Sequence, residues 1–277
     1  MVLMTFLQKL KAAMQQNNSL FCVGLDPDVA KLPTQFKDSA QPLLDFNKAI
    51  IDATADLVCA FKLNSAFYEA LGTSGLEQLK LTAQYIKKNH PGIPVILDAK
   101  RADIGNTNQG YAISTFDYLG MDAVTVHPYL GGEALQPLLD RADKGVIVLC
   151  RTSNPGAAEF QDLQADGQPF YMHVAKRVAK DWNQNRNCLL VVGATYPEEM
   201  KSVRQAVGPD MFFLVPGVGA QGGDIAAIMA AGLGSNQNEL VINSSRDIIY
   251  ASSDKDFAQA ARQRAQATRD EINKHRS

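Results

Sequence analysis

Asp98, Lys100 and Asp103, three of the four charged side chains within six residues, form the part of the chain best suited to chemistry. They follow Val95–Leu97, a β-branched apolar run of the kind that makes a strand. Asp98 and Lys100 are two apart, so on a strand they point to one side, and Asp103 falls in the loop beyond. A lysine between carboxylates has its charge stabilised and suits the role of an ammonium acid. Two neighbouring carboxylates repel any further anion. At about 4 Å and an effective dielectric near 20, each such pair is worth on the order of 4 kcal/mol. That is enough to shift protonation or to destabilise a bound carboxylate. The bland alternative, a surface salt-bridge cluster, sits badly at the end of an apolar strand.

A second stretch, Pro216-Gly217-Val218-Gly219-Ala220-Gln221-Gly222-Gly223, has the glycines that let backbone approach a ligand. A helix expected to begin near Gly222 adds its N-terminal dipole, and Arg246 can fork onto phosphate oxygens. Together they read as a phosphate site rather than a glycine-rich turn beside a surface arginine. His127 is a candidate acid or base, with a peripheral role as the alternative. Cys22, Cys59, Cys150 and Cys188 have no metal-ligand spacing and lie in apolar runs, as buried reduced thiols do. With a lysine between Asp98 and Asp103 competing for space and charge, no metal is expected.

These groups need a scaffold. Eight short apolar runs recur: Phe21–Leu25, Leu57–Leu63, Val95–Leu97, Ala123–Val126, Gly145–Leu149, Cys188–Val192, Phe212–Val215 and Leu240–Ile242. Segments of helical period lie between them, including Leu43–Ile51, Leu76–Ile86, Phe170–Trp182, Glu198–Val207 and Ile225–Leu233. The alternation predicts an α/β fold, a single (β/α)₈ TIM barrel over residues 1–277. A doubly wound sheet is the runner-up, disfavoured because no Gly-x-Gly-x-x-Gly follows the first strand. An amphipathic helix is predicted around Val2, Leu3, Phe6, Leu7 and Leu10, and a last helix after Asp254. The loop Asn154–Pro169 is a candidate lid, and Trp182 a packing residue. Barrel chemistry sits at the C-terminal ends of strands, and the polar residues gather just past the apolar runs.

The chain has 277 residues, 46% of them hydrophobic, and a net charge of −2 from 27 basic and 29 acidic side chains. That composition excludes a disordered chain and gives no global attraction to nucleic acid or anionic membrane. No apolar run is long enough to span a bilayer, and the thiols fit a reducing compartment, so a cytoplasmic location is expected.

The segment Asp98-Ala99-Lys100-Arg101-Ala102-Asp103-Ile104-Gly105-Asn106-Thr107 resembles the signature of the orotidine 5′-phosphate decarboxylases, Asp-x-Lys-x-x-Asp-Ile-[Gly/Pro]-x-Thr. Gly24–Asp28, Phe61–Glu69, Arg151–Gly156, Val215–Gly223 and Asn243–Arg246 agree in order, so the likeness covers about residues 20 to 250. It is nearest to the longer bacterial branch. Leu63, Ala102 and His127 depart from it, where proline, glycine and asparagine are usual.

The resemblance implies a homodimer of barrels with shared active sites. It also implies conversion of orotidine 5′-phosphate to UMP and CO₂ with neither metal nor organic cofactor. Carried over by motif, Lys100 gives the proton to C6, Asp98 sits beside the substrate carboxylate, and Lys62 holds the charge network together and contacts the ribose. Asp103 and Thr107 reach into the partner's site, and Ile104 lines it. Asp26 binds ribose hydroxyls, Ser153 meets the pyrimidine, Pro216 lines the site, and Gln221 and Arg246 hold the phosphate. Two other readings carry tests of their own. A magnesium-dependent sugar-phosphate decarboxylase or synthase would need Mg²⁺, and a silent nucleotide-binding barrel would bind UMP without chemistry.

Overall fold

Each of the eight apolar runs forms a strand, and each strand is parallel to its neighbours in the computed structural model, which describes residues 4–219 and 222–276. In chain order the strands are β1 (Phe21–Gly24), β2 (Ala60–Asn64), β3 (Val95–Arg101), β4 (Ala123–Val126) and β5 (Gly145–Arg151). A short hairpin of β6 (Gln164–Ala165) and β7 (Gln168–Pro169) follows, then β8 (Cys188–Val192), β9 (Phe213–Pro216) and β10 (Leu240–Ser244). Outside the hairpin every strand pairs with its neighbours along the chain, and β10 returns to β1. The ring is a closed (β/α)₈ barrel. Its strands are buried along nearly their whole length, as expected of a parallel sheet covered by helices.

The periodic segments become the helices Pro42–Thr54, Gly72–Asn89, Phe170–Arg177, Pro197–Val207 and Ile225–Gly232. Two further helices are Gly105–Ala112, which carries no clear apolar period, and Gly131–Leu139, which buries Ala134, Leu135, Leu138 and Leu139 at helical spacing. The first is mostly small and polar, and the second starts on two glycines and holds Pro137. Barrel packing overrides their poor propensity. Trp182 packs as expected, against the start of the second of these helices at Gly132.

The N-terminal helix spans Phe6–Gln16 and starts with a capping box between Thr5 and Gln8. It buries Phe6, Leu10, Ala13 and Met14; Val2 and Leu3 lie outside the described residues. Phe6 fills the space beside Gly145 at the start of β5, and Lys9 pairs with Asp122 at 3.0 Å. This helix therefore covers the N-terminal end of the barrel, opposite the polar strand ends.

Arg204 secures the same end. Its buried guanidinium donates to the carbonyls of Gly232 (2.8 Å), Gly208 (3.0 Å) and Met211 (2.6 Å) and stacks 3.9 Å from the Phe213 ring centroid. Burial lowers its pKa to about 10, partly offset by Glu239 and Asp210, so it remains charged at neutral pH. Arg204→Leu strips three carbonyls of their donor. We expect an unfolding free energy lower by about 2–3 kcal/mol, with turnover retained. Urea unfolding followed by circular dichroism checks this.

All four cysteines are buried and free. Burial pushes Cys22, Cys150 and Cys188 up to about 12, and Cys59 well above its ordinary value. At pH 8 a thiol with such a pKa is about one part in ten thousand thiolate. The native protein should therefore not react with Ellman's reagent over minutes, whereas the denatured chain should titrate all four thiols.

Candidate active site

Pairing between β1, β2 and β3 brings the charged residues together. Lys62 lies opposite Gly24 on one side, and Asn64 lies opposite Asp98 on the other. The Lys62 ammonium is buried, 3.1 Å from Asp98 Oδ2 and 3.5 Å from Asp26 Oδ2. Lys100 Nζ reaches Asp98 Oδ1 at 2.7 Å with its side chain 48% exposed. Burial alone would lower the Lys62 pKa, but Asp26 and Asp98 outweigh it and hold the group above its ordinary value. Burial would raise Asp98, but Lys62 and Lys100, with hydrogen bonds from Lys100 and Thr125, hold it well below the usual carboxylate range. Both buried groups are charged at neutral pH.

This arrangement corrects the sequence reading in two respects. Within the chain, the lysine between two carboxylates is Lys62, and Asp98 is a carboxylate between two lysines. Asp103 Oδ1 instead accepts the Ile104 N–H at 2.7 Å, beside the helix Gly105–Ala112. Pleat alternation also does not explain how Asp98 and Lys100 meet. Lys100 has φ +49°, in the left-handed region, so its side chain is aimed by a local kink.

The charged end opens into a cavity of about 480 Å³ at the C-terminal end of the barrel. Asp26, Lys62, Asp98, Lys100, Ser153, Pro216 and Arg246 all line it. Asp26 is fixed by the Asn64 N–H at 3.0 Å and the Ser245 hydroxyl at 2.7 Å. A Cβ at Gly24 would sit 1.8 Å from Ser245 Oγ, so only glycine allows that approach. The buried Asn243 Oδ1 and Ser244 Oγ, on pocket-lining residues, have no hydrogen-bond partner among the described residues. Unsatisfied buried acceptors and hydroxyls at a cavity wall are suited to a polar ligand.

The loop after β9 turns on Gly217 (φ +104°) and Gly219 (φ +83°). Gln221 lies outside the described residues. The helix after this loop begins at Ile225 rather than near Gly222, and the Asp224 carboxylate accepts the N–H groups of Ala226 and Ala227. Its N-terminus is thus already capped by a negative group, and the expected dipole contribution to phosphate is not supported. Arg246 is exposed at the cavity mouth, while its neighbour Asp247 pairs with Arg264 at 2.7 Å.

The segment Asn154–Pro169 is more ordered than a loop. It holds a turn at Pro155–Ala157, a helical turn at Ala158–Gln161 and the β6–β7 hairpin. The hairpin closes on Asp166 and Gly167, both with positive φ, as a two-residue Asp-Gly turn requires. Buried Arg151 ties the segment down through Gln161 Oε1 (3.3 Å) and Asp162 Oδ2 (3.2 Å), with its guanidinium 3.9 Å from the Tyr196 ring centroid. Gln161 lines the cavity and bonds both the N–H and the hydroxyl of Thr152. Sequence reading missed Gln161, and it missed Thr125, a buried wall residue from β4. Neither lies in a charged cluster, although Thr125 alternates with apolar neighbours on its strand.

Asp103, Ile104, Thr107 and His127 do not line this cavity. Ile104 is 60% exposed, and Thr107 lines a separate hollow of about 680 Å³ with Arg101, Tyr111 and Tyr118. His127 sits at the end of β4, where its Nδ1 accepts the Tyr129 N–H at 3.3 Å. Among the described residues no group of three or more His, Cys, Asp or Glu side chains is arranged to hold a metal ion. No described helix is long and apolar enough to cross a membrane.

The geometry has counterparts in known proteins. A family model for the orotidine 5′-phosphate decarboxylase / HUMPS family matches residues 19–263. A relative from Janthinobacterium sp. (strain Marseille), named orotidine 5′-phosphate decarboxylase, is 52% identical over 272 residues, which is 98% of this chain and 99% of the relative. A solved structure of Leishmania donovani OMP decarboxylase superposes with a TM-score of 0.85 at 36% identity, covering 99% of both chains. A UMP synthase structure from the same organism superposes with a TM-score of 0.87 at 37% identity; 99% of this chain is covered but only 57% of that longer one. A family match over residues 19–263 and a relative 52% identical over nearly the whole of both chains establish that the chain belongs to the orotidine 5′-phosphate decarboxylase / HUMPS family.

Proposed function

We propose that the chain decarboxylates orotidine 5′-phosphate to UMP and CO₂, working as one barrel unit without metal or organic cofactor. The observation that carries this reading is the Lys62–Asp98–Lys100 array at the floor of a cavity whose mouth holds Arg246. Loss of CO₂ leaves an electron pair at C6 of the pyrimidine. The Lys100 ammonium stabilises that charge as it develops and then transfers its proton to C6, giving UMP; solvent returns the proton to the amine. Asp98 holds Lys100 in place and stands where the substrate carboxylate must arrive. Lys62 keeps Asp26 and Asp98 charged side by side, which lets Asp26 take the ribose hydroxyls. Ser153 meets the pyrimidine edge, and Pro216 forms a wall. Arg246 and Gln221 take the phosphate, whose binding energy is used for orientation and for closing the 154–169 segment as a lid.

The functional unit is a homodimer in the cytoplasm. Support for the dimer comes from the exposure of Ile104 and Thr107 beside half-buried Asp103, with Thr107 sharing a hollow with the exposed Tyr118. From that surface they supply the partner's site. Sedimentation with and without a UMP analogue tests the assembly.

The function is tested by the absorbance change of orotidine 5′-phosphate in metal-free buffer with EDTA. Steady turnover is expected. No turnover there, or turnover of a ketose phosphate only on adding Mg²⁺, would overturn the reading. Tight UMP binding without chemistry would make the protein a silent barrel.

A further inference from the structure

The kink at Lys100 has a specific support. The β3–β4 ladder pairs Leu97 with Val124 and resumes at Arg101 opposite Val126. Three residues of β3, Asp98 to Lys100, therefore face the single residue Thr125 of β4, a bulge larger than the usual two against one. Lys100 sits in this bulge with its backbone left-handed at φ +49°. Its N–H has no place in the ladder and donates to Thr125 Oγ1 at 2.9 Å. A hydroxyl that accepts on one side has its own proton to give on the other. Thr125 gives it to Asp98 Oδ1 at 2.8 Å, the same oxygen that takes Lys100 Nζ at 2.7 Å. Thr125 is 1% exposed, and its strand pairing places it opposite Ile147 of β5 on the other side. These two partners use both the accepting and the donating side of its hydroxyl and so set its orientation.

We propose that Thr125 is a positioning residue for the decarboxylation. One hydroxyl holds both the left-handed backbone that aims Lys100 and the carboxylate of Asp98 that receives it. This rests on the reading of function given above. The hydroxyl fixes the proton donor and its counter-ion relative to each other before substrate arrives, which a flexible lysine does not achieve alone. Phosphate and ribose contacts lie elsewhere in the cavity, so the effect falls on the chemical step rather than on affinity.

The test is Thr125→Val, which replaces the hydroxyl by a methyl of similar size on a residue suited to strands. The expected result is a fall in kcat of about 100-fold, of the size that small misplacements of reacting groups produce. UMP affinity should change by less than about threefold, since ground-state contacts are untouched. Thr125→Ser keeps the hydroxyl and should recover most of the lost rate. The acid limb of the kcat/KM profile should move to higher pH in Thr125→Val, because Asp98 loses a hydrogen bond to its charged form. A Thr125→Val enzyme with wild-type kcat, an equal loss in Thr125→Ser, or parallel losses of kcat and UMP affinity would each overturn the proposal. If Thr125→Val does not fold, Thr125→Ser against Thr125→Ala isolates the hydroxyl, and equal rates in that pair would overturn it. Absence of wild-type turnover in the same assay removes the functional reading itself, and this proposal with it. Turnover in the wild type with an unchanged variant removes the proposal alone.

Discussion

Lys100→Ala is expected to bind UMP and to release no CO₂ from orotidine 5′-phosphate at a measurable rate. The side chain is about half exposed and its ion pair is one of two on Asp98, so the fold does not depend on it. Asp98 keeps Lys62 at 3.1 Å and the Thr125 hydroxyl at 2.8 Å. The reaction, by contrast, loses two contributions at one atom. A fixed charge facing the developing carbanion is worth about 10²- to 10³-fold, and positioned proton donation a further 10²-fold or more. We therefore expect kcat to fall by at least about 10⁴-fold, or roughly 5–6 kcal/mol of barrier. Calorimetric titration with UMP should give an affinity within a few fold of wild type. A variant that retains a tenth of the wild-type rate would remove Lys100 from the role of proton donor.

Lys62→Met should show the opposite balance, losing stability as well as turnover. Lys62 is buried between Asp26 and Asp98, and methionine leaves those carboxylates facing one another without the cation. Removing one member of a buried ionic cluster typically costs about 3–5 kcal/mol. For a chain of this size that corresponds to a melting point lower by about 5–10 °C. The pH dependence follows from the direction of the shifts. The folded-state pKa of Asp98 is depressed, so its stabilising contribution is present above the unfolded value near 4 and is lost as pH falls through the folded one. The pKa of Lys62 is raised, so its contribution is present below the unfolded value near 10.4 and is lost as pH climbs through the folded one. The gap in melting temperature between wild type and variant should therefore be widest and flat from about pH 4 to pH 10, and should narrow on either side. Differential scanning calorimetry across this range tests it. An unchanged melting point at pH 7 would mean that water or a side-chain movement replaces the ammonium.

Much of the barrel was legible in the sequence because strand runs buried on both faces are short, apolar and β-branched, and eight of them recur. Ala123–Val126 and Cys188–Val192 match to the residue. Most other strands run one to four residues further at their C-terminal ends, as β3 does into Asp98–Arg101 and β5 into Cys150–Arg151. Charged side chains there break the apolar pattern while the backbone ladder continues. The helix Gly105–Ala112 was not legible, because its small and polar residues leave no period to read, whereas Gly131–Leu139 keeps apolar residues at helical spacing behind two opening glycines and Pro137. In the candidate site, the charged residues were evident from type and spacing. Their connectivity was not. Spacing could not reveal that Asp103 turns away to the Ile104 N–H, or that Lys62 takes the place between carboxylates assigned to Lys100. Nor could it show that a neutral threonine lies behind both Asp98 and Lys100, since hydrogen-bond partners four ångströms or less apart here are tens of residues apart in the chain.

Asp98 accepts from Lys62, Lys100 and Thr125 through its two oxygens, and this sharing governs how the site tolerates sequence drift. Three groups converge on one carboxylate, so a substitution at any of them changes what the other two are worth. Effects measured singly will not sum, and a second change can look neutral once the first has been made. A lineage cannot exchange these residues one at a time without passing through impaired intermediates. The four positions are therefore locked by epistasis as one inherited unit.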